Sequence, residues 1–212
     1  MERTFDHQLL REQLGRVSDE TRFLTAIGEI DLQNDNDRNR ATLGGRNVGF
    51  ELYFSVQLTR WVLTLDPEAS ETLMLAARGQ HICRWMIPRE DYPRDRAGYL
   101  KWRSDLKKFH ARKTASILEE VGYDQKTIQA VSDLNLKKNL KSDPDCQTME
   151  DALCLVFLEK QFAAFKTKTD EEKMIGILKK SWAKMSDKGR EAALALELGE
   201  AERRLVEKAL AD

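Results

Sequence analysis

The sequence predicts an all-α fold, a single-domain helical bundle that covers residues 1–212. Apolar residues recur at helical spacing along almost the whole chain, and only 4 prolines and 11 glycines interrupt this pattern. With 212 residues, of which 41% are hydrophobic and 33% charged, the chain is long enough to bury one substantial core. We therefore expect one globular domain, with a core over about residues 48–166 and C-terminal helices over about 170–210 packed on it.

Helices are predicted over nine segments: about 4–17, 20–33, 48–65, 67–86, 97–121, 125–139, 148–166, 170–185 and 187–210. Asp66-Pro67-Glu68 combines a capping residue with a proline and an acid in a first helical turn. Gly122 is a typical helix stop, and Asp124 is a typical cap for the helix after it. Residues 35–45 and 86–93 lack helical spacing and are predicted to be loops beside the polar residues discussed below.

The composition restricts the classes of protein to consider. The net charge is −1, so no overall field attracts nucleic acid or a membrane surface. No apolar signal stretch opens the chain and no run of 18 apolar residues occurs, which predicts a soluble, cytoplasmic protein. The last segment, 187–212, is amphipathic and is expected to pack on the body or to pair with a second copy in a homodimer. Three cysteines without metal-binding spacing are expected to be reduced thiols: Cys83, Cys146 and Cys154.

Three polar residues, His81, His110 and Asp151, occupy largely apolar helical faces in the middle of the chain. Burying an unpaired imidazole or carboxylate is unfavourable, and convergence on a shared ion would give each group a partner. Imidazole and carboxylate ligands together favour Mn, Fe, Co or Zn over Ca or Mg. The sequence therefore predicts a divalent transition-metal site at His81, His110 and Asp151, with Glu51 as a further candidate ligand.

Each of these residues also has a structural interpretation. His81 can be a core histidine bonded to a backbone carbonyl, and His110, which lies among lysines and arginines, can bind an anion instead. Asp151 belongs to the segment Thr148-Met149-Glu150-Asp151, which fits the start of a helix with a capping box. An acid such as Glu51 in a first helical turn interacts favourably with the helix dipole. Both interpretations are kept for every residue.

A basic segment begins three residues after His81 and encloses His110. Between Arg84 and Lys113 there are ten lysines and arginines against four acids, a local excess of +6. Guanidinium groups bind phosphate or carboxylate in a bidentate manner, and aromatic rings stack on a base or a sugar. The sequence predicts an anionic small-molecule substrate, while the alternatives are a solvated charged face and, less favoured, nucleic acid. The candidate substrate-binding residues are Arg84, Arg89, Tyr99, Trp102 and Arg103.

The segment Ala76-Ala77-Arg78-Gly79-Gln80-His81-Ile82 resembles the His-Asp segment of the HD superfamily, an all-helical fold of metal-dependent phosphohydrolases that includes some iron oxygenases. Gln80 stands where His is usual and His81 where Asp is usual. The resemblance implies a divergent HD-like core, with Glu51, His110 and Asp151 in the places of the other ligands. Gln80 therefore departs from the family pattern at this position. The catalytic residues stay unassigned, with Gln80 and Glu150 as candidates.

A second resemblance covers about Ile30 to Lys184 and rests on five motifs: Ile30-Asp31-x-x-Asn34-x-x-Asp37, Gln80-His81-Ile82-x-Arg84-Trp85-x-x-Pro88-Arg89, Tyr92-Pro93, Tyr99-Leu100-x-Trp102-Arg103 and Glu150-Asp151-Ala152-x-Cys154-Leu155-Val156-Phe157-Leu158-Glu159. These motifs resemble an uncharacterised family catalogued as domain of unknown function 4202. That resemblance implies no particular activity.

Three functions from different classes follow. The first is a metal-dependent hydrolase that acts on a phosphorylated or nucleotide-like anion. The second is a non-haem iron oxygenase with the same ligand types on the same scaffold. The third is a non-catalytic protein that binds a metabolite or RNA.

Several other classes lack their motifs. The chain contains no GxxxxGK[ST], GxGxxG, HExxH or GxSxG sequence, so the P-loop, Rossmann, zincin and common serine-hydrolase interpretations have no support. The acidic segment Asp31, Asn34, Asp35 and Asp37 lacks the glycine and distant glutamate of an EF-hand. We interpret it as a turn or a helix stop.

Overall fold

The structure is a computed structural model that describes residues 7–138, 140 and 142–211. In this part of the chain the secondary structure is helical apart from one β-hairpin, which confirms the predicted all-α fold. The chain divides into two compact units, Met1–Cys146 and Gln147–Asp212. Each unit is described by itself, and the expectation of a single domain stays a prediction. None of the described helices is long and apolar enough to cross a membrane.

The described residues of the first unit form six helices, the hairpin and the beginning of a seventh helix. In chain order these are α1 (His7–Arg11), α2 (Glu20–Asn34), β1 (Arg40–Leu43), β2 (Arg46–Gly49), α3 (Phe50–Leu65), α4 (Glu71–Gly79), α5 (Arg96–Val121), α6 (Gln125–Asn135) and α7 (Pro144–Val156). Short 3₁₀ turns cover Leu14–Arg16, Arg84–Met86 and Arg89–Asp91. Helix α4 packs against α2, α3, α5 and α6, so it is surrounded by the other helices of the unit.

Local capping signals predicted the junction between α5 and α6 correctly. Gly122 has φ 90° and its N–H donates to the carbonyls of Glu119 and Leu118, which ends α5 in the left-handed conformation that glycine adopts easily. The carboxylate of Asp124 accepts a bond from the N–H of Thr127 and caps α6.

The predicted helix over 67–86 is wrong at both ends. The side chain of Ser70 caps α4 by accepting from the Leu73 N–H, whereas Asp66 accepts from the Glu68 N–H in the preceding turn. Helix α4 ends at Gly79 because the chain then turns sharply. At Cys83 the backbone is left-handed, with φ 50°. The tertiary contacts described below hold this turn, and sequence spacing does not reveal them.

The predicted loop over 35–45 is partly a β-hairpin instead. Antiparallel strands β1 and β2 pair from Arg40 opposite Gly49 to Leu43 opposite Arg46. Gly44 and Gly45 have φ 54° and 79°, as a two-residue hairpin turn with two positive φ angles requires. Val48 is buried with Leu52 and Val56 of α3, so the hairpin is fixed on the helix that follows it.

The second unit contains most of α7, a π-helical turn (Phe157–Gln161), α8 (Phe162–Lys166), α9 (Glu171–Trp182), α10 (Asp187–Leu194) and α11 (Glu200–Leu210). Helix α7 is capped by Asp143, whose carboxylate accepts from the Asp145 and Cys146 N–H groups, and it starts four residues before the predicted position 148. The single helix predicted over 187–210 is two helices separated at residues 195–199. Residues 4–6 and 139, parts of two predicted helices, lie outside the described residues.

Candidate functional site

Helix α2 ends in an acidic segment that holds the surrounding elements in place. Inside the unit, Arg78 of α4 donates two bonds to Asp31, from Nε to Oδ1 at 2.7 Å and from Nη2 to Oδ2 at 2.8 Å. Neither side chain is exposed to more than 1%. Because both charges are removed from water, they need each other, and the bidentate pair fixes the spacing between α2 and α4.

Two further side chains of the same segment bind backbone groups. The Oδ1 atom of Asn34 accepts from the N–H of Cys83 at 3.0 Å, which stabilises the left-handed turn after α4. The Oδ1 atom of Asp35 accepts from the N–H of Gly49 at 2.7 Å, just before α3 begins. The segment that we interpreted as a helix stop therefore also positions the beginning of α3 and the turn that contains His81.

Helices α4 and α5 approach each other closely at Gly79 and Thr114. A Cβ atom on Gly79 would lie 2.3 Å from Oγ1 of Thr114, which is shorter than any real contact. Thr114 Oγ1 instead donates to the Gly79 carbonyl at 3.3 Å. Only glycine allows α5 to approach so closely, and this approach brings His110, one turn before Thr114, beside the turn that contains His81.

Glu51 and His110 both lie close to His81. The Nδ1 atom of His81 lies 3.7 Å from Oε2 of Glu51, which is near contact but beyond hydrogen-bond distance. The ring centroids of His81 and His110 are 5.7 Å apart. The structure thus brings together three of the four predicted metal ligands, one from α3, one from the turn after α4 and one from α5.

His110 presents a free lone pair inside the protein. Its Nδ1 lies 2.9 Å from the carbonyl oxygen of Ile82, and a carbonyl only accepts, so Nδ1 carries the proton. The Nε2 atom is then an acceptor, and it has no hydrogen-bond partner in the described part of the chain. Burial lowers the pKa of His110 to about 4, the Ile82 bond opposes this shift, and Arg84 and Arg103 add to it. The imidazole is therefore neutral at physiological pH, with the lone pair that a metal or a donor group requires.

The pKa of the buried Glu51 carboxyl is shifted in the direction opposite to that of His110. The residue is 5% exposed, and its Oε2 is not hydrogen-bonded by any residue that the structure describes. Burial raises the pKa of Glu51 from 4.5 to about 8, a shift that the positive charge of Arg84 reduces and the negative charge of Asp37 increases. At neutral pH the carboxyl is mostly protonated, and it would ionise if a cation came close.

The imidazole of His81 packs against the ring of Phe54 and is partly exposed to solvent. Its imidazole stacks on Phe54, with the centroids 4.1 Å apart and an angle of 10° between the planes, and its side chain is 21% exposed. Burial and then the nearby cations, Arg84 first, lower the pKa of His81 well below 6.5. His81 is therefore also neutral at physiological pH, and its partial exposure gives a ligand access to the cluster.

Four of the predicted substrate-binding residues lie close together. The guanidinium of Arg84 lies 4.9 Å from the centroid of Trp102, whose Nε1 donates to the Ile87 carbonyl at 2.9 Å. The Tyr99 ring is 5.9 Å from that of Trp102, and the residue is 45% exposed. Arg103 lies seven residues before His110 on the same face of α5, and its charge lowers the pKa of both histidines.

Arg89 has a different position in the structure. Its Nη1 and Nη2 donate to the carbonyls of Tyr92 and Pro93 at 2.9 and 2.7 Å, and its guanidinium lies 5.9 Å from the Trp102 centroid. These bonds close the loop before α5. We therefore assign Arg89 to the structure of this loop and leave it out of the proposed site.

Asp151 and Glu150 belong to the second unit. Asp151 Oδ1 accepts from the Ser186 N–H at 2.9 Å and from Gln147 Nε2 at 3.0 Å, while Oδ2 accepts from the Ser186 hydroxyl at 2.5 Å. Asp151 lies in the interior of α7, so the alternative that it caps this helix is wrong. Instead it binds the capping residue of α10. Glu150 is buried, with Oε1 3.5 Å from Nζ of Lys184.

Gln80 and Asp37 complete the description of the polar residues. Gln80, a candidate catalytic residue, is buried, and its Oε1 lacks a partner among residues 7–138, 140 and 142–211. Asp37 is buried too and acts on the Glu51 carboxyl, as described above. The sequence interpretation missed the contributions of Asn34 and Asp37 to the site, although both belong to a motif that the family resemblance quoted. In the described chain no three His, Cys, Asp or Glu side chains are already arranged to hold a metal ion.

Comparison with known proteins identifies one family. The model of the family described as Domain of unknown function (DUF4202) matches residues 24–206, which is most of the chain. No curated protein matches the chain, and neither does any solved structure.

Proposed function

The chain belongs to the family described as Domain of unknown function (DUF4202), and since that description specifies no activity, we propose a function from the site itself. We propose a metal-dependent hydrolase that acts on a phosphorylated or nucleotide-like anion. Glu51, His81 and His110 would hold a divalent transition metal, Mn, Fe, Co or Zn. Arg84 and Arg103 would bind the anion. Asp151 is left out of the ligand set, because both its oxygens already accept hydrogen bonds in the second unit.

The buried lone pair on Nε2 of His110 carries this proposal. A buried acceptor without a donor is unfavourable, and proteins keep such groups where a ligand completes them. The bond from Nδ1 to the Ile82 carbonyl is the arrangement that fixes the tautomer and ring orientation of metal-binding histidines. Among the described residues, the Oε2 atom of Glu51 beside His81 also lacks a hydrogen-bond partner, and a positive charge would supply one.

The residues present fit a divalent ion in type, although among the described residues no three such side chains are arranged to hold one. An ion held there would lower the pKa of a bound water and polarise a phosphoryl oxygen. Arg84 is held in place by Trp102, so its guanidinium is ordered before substrate binds. Arg84 and Arg103 together would neutralise the charge that develops on phosphoryl oxygens. The partly exposed face of His81 gives the substrate its route to the cluster.

Metal binding and phosphate release test the proposal. The full-length protein is treated with a chelator and titrated with Mn, Fe, Co and Zn by calorimetry, and phosphate release is measured from aryl phosphates and nucleoside monophosphates. We expect about one equivalent of metal and metal-dependent phosphate release. The substitution His110→Gln introduces an amide that can donate to the Ile82 carbonyl, but it removes the imidazole lone pair. We therefore expect a folded protein with at least tenfold weaker metal binding.

Asp151→Asn is the matched control and should retain metal binding. A wild-type protein that binds no metal, or a His110→Gln variant with unchanged affinity, contradicts the metal site. Metal binding with oxygen consumption and no phosphate release would favour the iron oxygenase. Anion binding without turnover under any metal would favour a non-catalytic binding protein.

A further inference from the structure

Tyr99 carries an exposed aromatic ring at the end of the first turn of α5. The residue is 45% exposed, although an aromatic side chain gains stability from burial, and exposed tyrosines are enriched on surfaces that contact a ligand or a partner. Leu100, the next residue, is exposed too, at 56%, so exposure by itself does not select a ligand. The neighbours of the Tyr99 ring provide the selection.

The ring of Trp102 lies next to the Tyr99 ring, with the centroids 5.9 Å apart and an angle of 47° between the planes. Trp102 is itself held in place, because its Nε1 donates to the Ile87 carbonyl at 2.9 Å. The guanidinium of Arg89, which closes the loop before α5, lies 5.9 Å from the Trp102 centroid. The surface beside Tyr99 is thus ordered before a ligand binds, which lowers the entropic cost of binding there.

The same indole connects Tyr99 to the proposed anion site. The guanidinium of Arg84 lies 4.9 Å from the Trp102 centroid, so one ring neighbours both the cation and the exposed tyrosine. Arg84 also belongs to the turn that contains His81, since its N–H donates to the His81 carbonyl at 3.1 Å. Arg103 follows Tyr99 by one turn of α5, which places their Cβ atoms about 6 Å apart. An exposed ring and two guanidinium groups therefore share this end of α5.

We propose that the Tyr99 ring stacks on the base of a nucleotide whose phosphate is bound by Arg84 and Arg103. A nucleotide carries an aromatic base and an anionic phosphate that are joined by a sugar, which matches an exposed ring and guanidinium groups that neighbour one indole. A phosphate ester without a base would contact the cations and leave Tyr99 unused. Stacking on an aromatic side chain tolerates any base. This inference rests on the proposed function and specifies its substrate class as nucleotides.

Calorimetry on the chelator-treated full-length protein tests the stacking, with adenosine monophosphate and ribose 5-phosphate as probes. Both probes carry the sugar and the phosphate, and only the first carries a base. We expect the wild type to bind adenosine monophosphate at least about fivefold more tightly than ribose 5-phosphate. Tyr99→Ala and Tyr99→Leu should lose this preference and keep the affinity for ribose 5-phosphate, and leucine still covers Trp102 with an apolar side chain. Tyr99→Phe retains the ring and should retain the preference.

Leu100→Ala is the matched control, because Leu100 is the next residue in the chain and is more exposed than Tyr99. It should leave both affinities unchanged. A wild type that binds the two probes equally or binds neither overturns the stacking, and so does a preference that persists in Tyr99→Ala and Tyr99→Leu. Equal loss of both affinities in these two variants also overturns it, because the ring would then support the phosphate site and not the base.

The proposed hydrolase is judged by a separate measurement. It stands without the stacking if phosphate release from aryl phosphates depends on metal and on His110. Conversely, a preference for adenosine monophosphate that depends on Tyr99, in a protein that releases no phosphate, contradicts the hydrolase alone.

Discussion

Glu51 and the two histidines have pKa shifts in opposite directions for the same reason. Burial disfavours the charged form of each group, so the acid keeps its proton and the bases lose theirs. The metal-free cluster is consequently neutral at physiological pH, although it contains an acid beside two bases. A cation would change the protonation of Glu51 alone, since the two histidines are already neutral and have a free lone pair; we therefore expect metal binding to release the Glu51 proton.

The pKa of Glu51 predicts how stability depends on pH. Between pH 6.5 and 8 the folded protein keeps the Glu51 proton, with a pKa of about 8, while the unfolded chain has lost it above the ordinary value of 4.5. The unfolded state therefore binds fewer protons, and stability falls as pH rises through this window. The lowered histidine pKa values act in the other direction up to about pH 7, because the histidines of the unfolded chain, with the ordinary pKa of 6.5, still take up protons there. These histidines offset about half of the Glu51 effect, so for the chelator-treated protein we expect a net loss of about 1 kcal/mol from pH 6.5 to 8.

Urea unfolding at several pH values measures this loss. In Glu51→Gln the group cannot ionise, so the fall in stability between pH 6.5 and 8 should be mostly absent. Equal slopes for the wild type and Glu51→Gln would show that the carboxyl is not protonated in the folded state.

At the scale of secondary-structure elements, the acidic end of α2 explains why a site exists at this place. Its side chains bind α4, the turn after α4 and the start of α3, so the three segments that meet there are held by one helix. The hairpin enters the same arrangement through Arg40, which donates to the carbonyls of Asp35 and Asn47. The site is thus formed on rigid elements that a single segment connects.

The buried ion pair Asp31–Arg78 predicts that a single substitution strongly lowers the free energy of unfolding. Asp31→Asn leaves the Arg78 charge inside the unit without its counter-charge, and we expect a loss of about 3–5 kcal/mol in the free energy of unfolding. Urea unfolding provides the measurement. Glu68→Ala is the matched control, because the Arg16–Glu68 pair is exposed at 45% and 80% and its loss should cost at most about 1 kcal/mol. Similar losses in the two variants would mean that the buried pair does not hold α2 to α4.

At the scale of the whole molecule, the chain consists of two compact units with different roles in our proposals. The first contains Glu51, His81, His110 and the cations, while the second contains Asp151 in a hydrogen-bonded junction between α7 and α10. Gly189 lies directly against this junction, since a Cβ atom there would be 2.6 Å from the Asp151 carboxyl carbon. Asp151 therefore has a complete structural role within its own unit.

This role predicts where the effect of Asp151→Ala appears. Removal of the carboxylate leaves the Ser186 N–H and hydroxyl without their acceptor, which should cost about 1–3 kcal/mol. Hydrogen exchange measured by mass spectrometry should become faster over α7 to α10 and stay the same around His81 and His110. Faster exchange around the two histidines, together with loss of metal, would restore Asp151 as a ligand and would contradict its omission from our proposal.

The sequence by itself determined the helical class, the junction at Gly122 and Asp124, and which polar residues to consider. These features depend on periodicity and on capping within one turn, so neighbouring residues encode them. The proximity of Glu51, His81 and His110 agrees with the order of residues that the sequence interpretation used. Their role as metal ligands stays a prediction.

Other features of the fold and of the candidate site depend on the tertiary structure alone. The early end of α4, the hairpin, and the local bonding of Arg89 and Asp151 all depend on contacts between residues far apart in sequence or on the exact path of a turn. A sequence pattern records which residues are apolar or charged, but a buried group takes its pKa and its partner from whatever the fold places around it. For this reason His110 could be selected from the sequence. That its Nε2 has no partner among the described residues depends on the fold, because the fold places the Ile82 carbonyl at the other ring nitrogen, Nδ1.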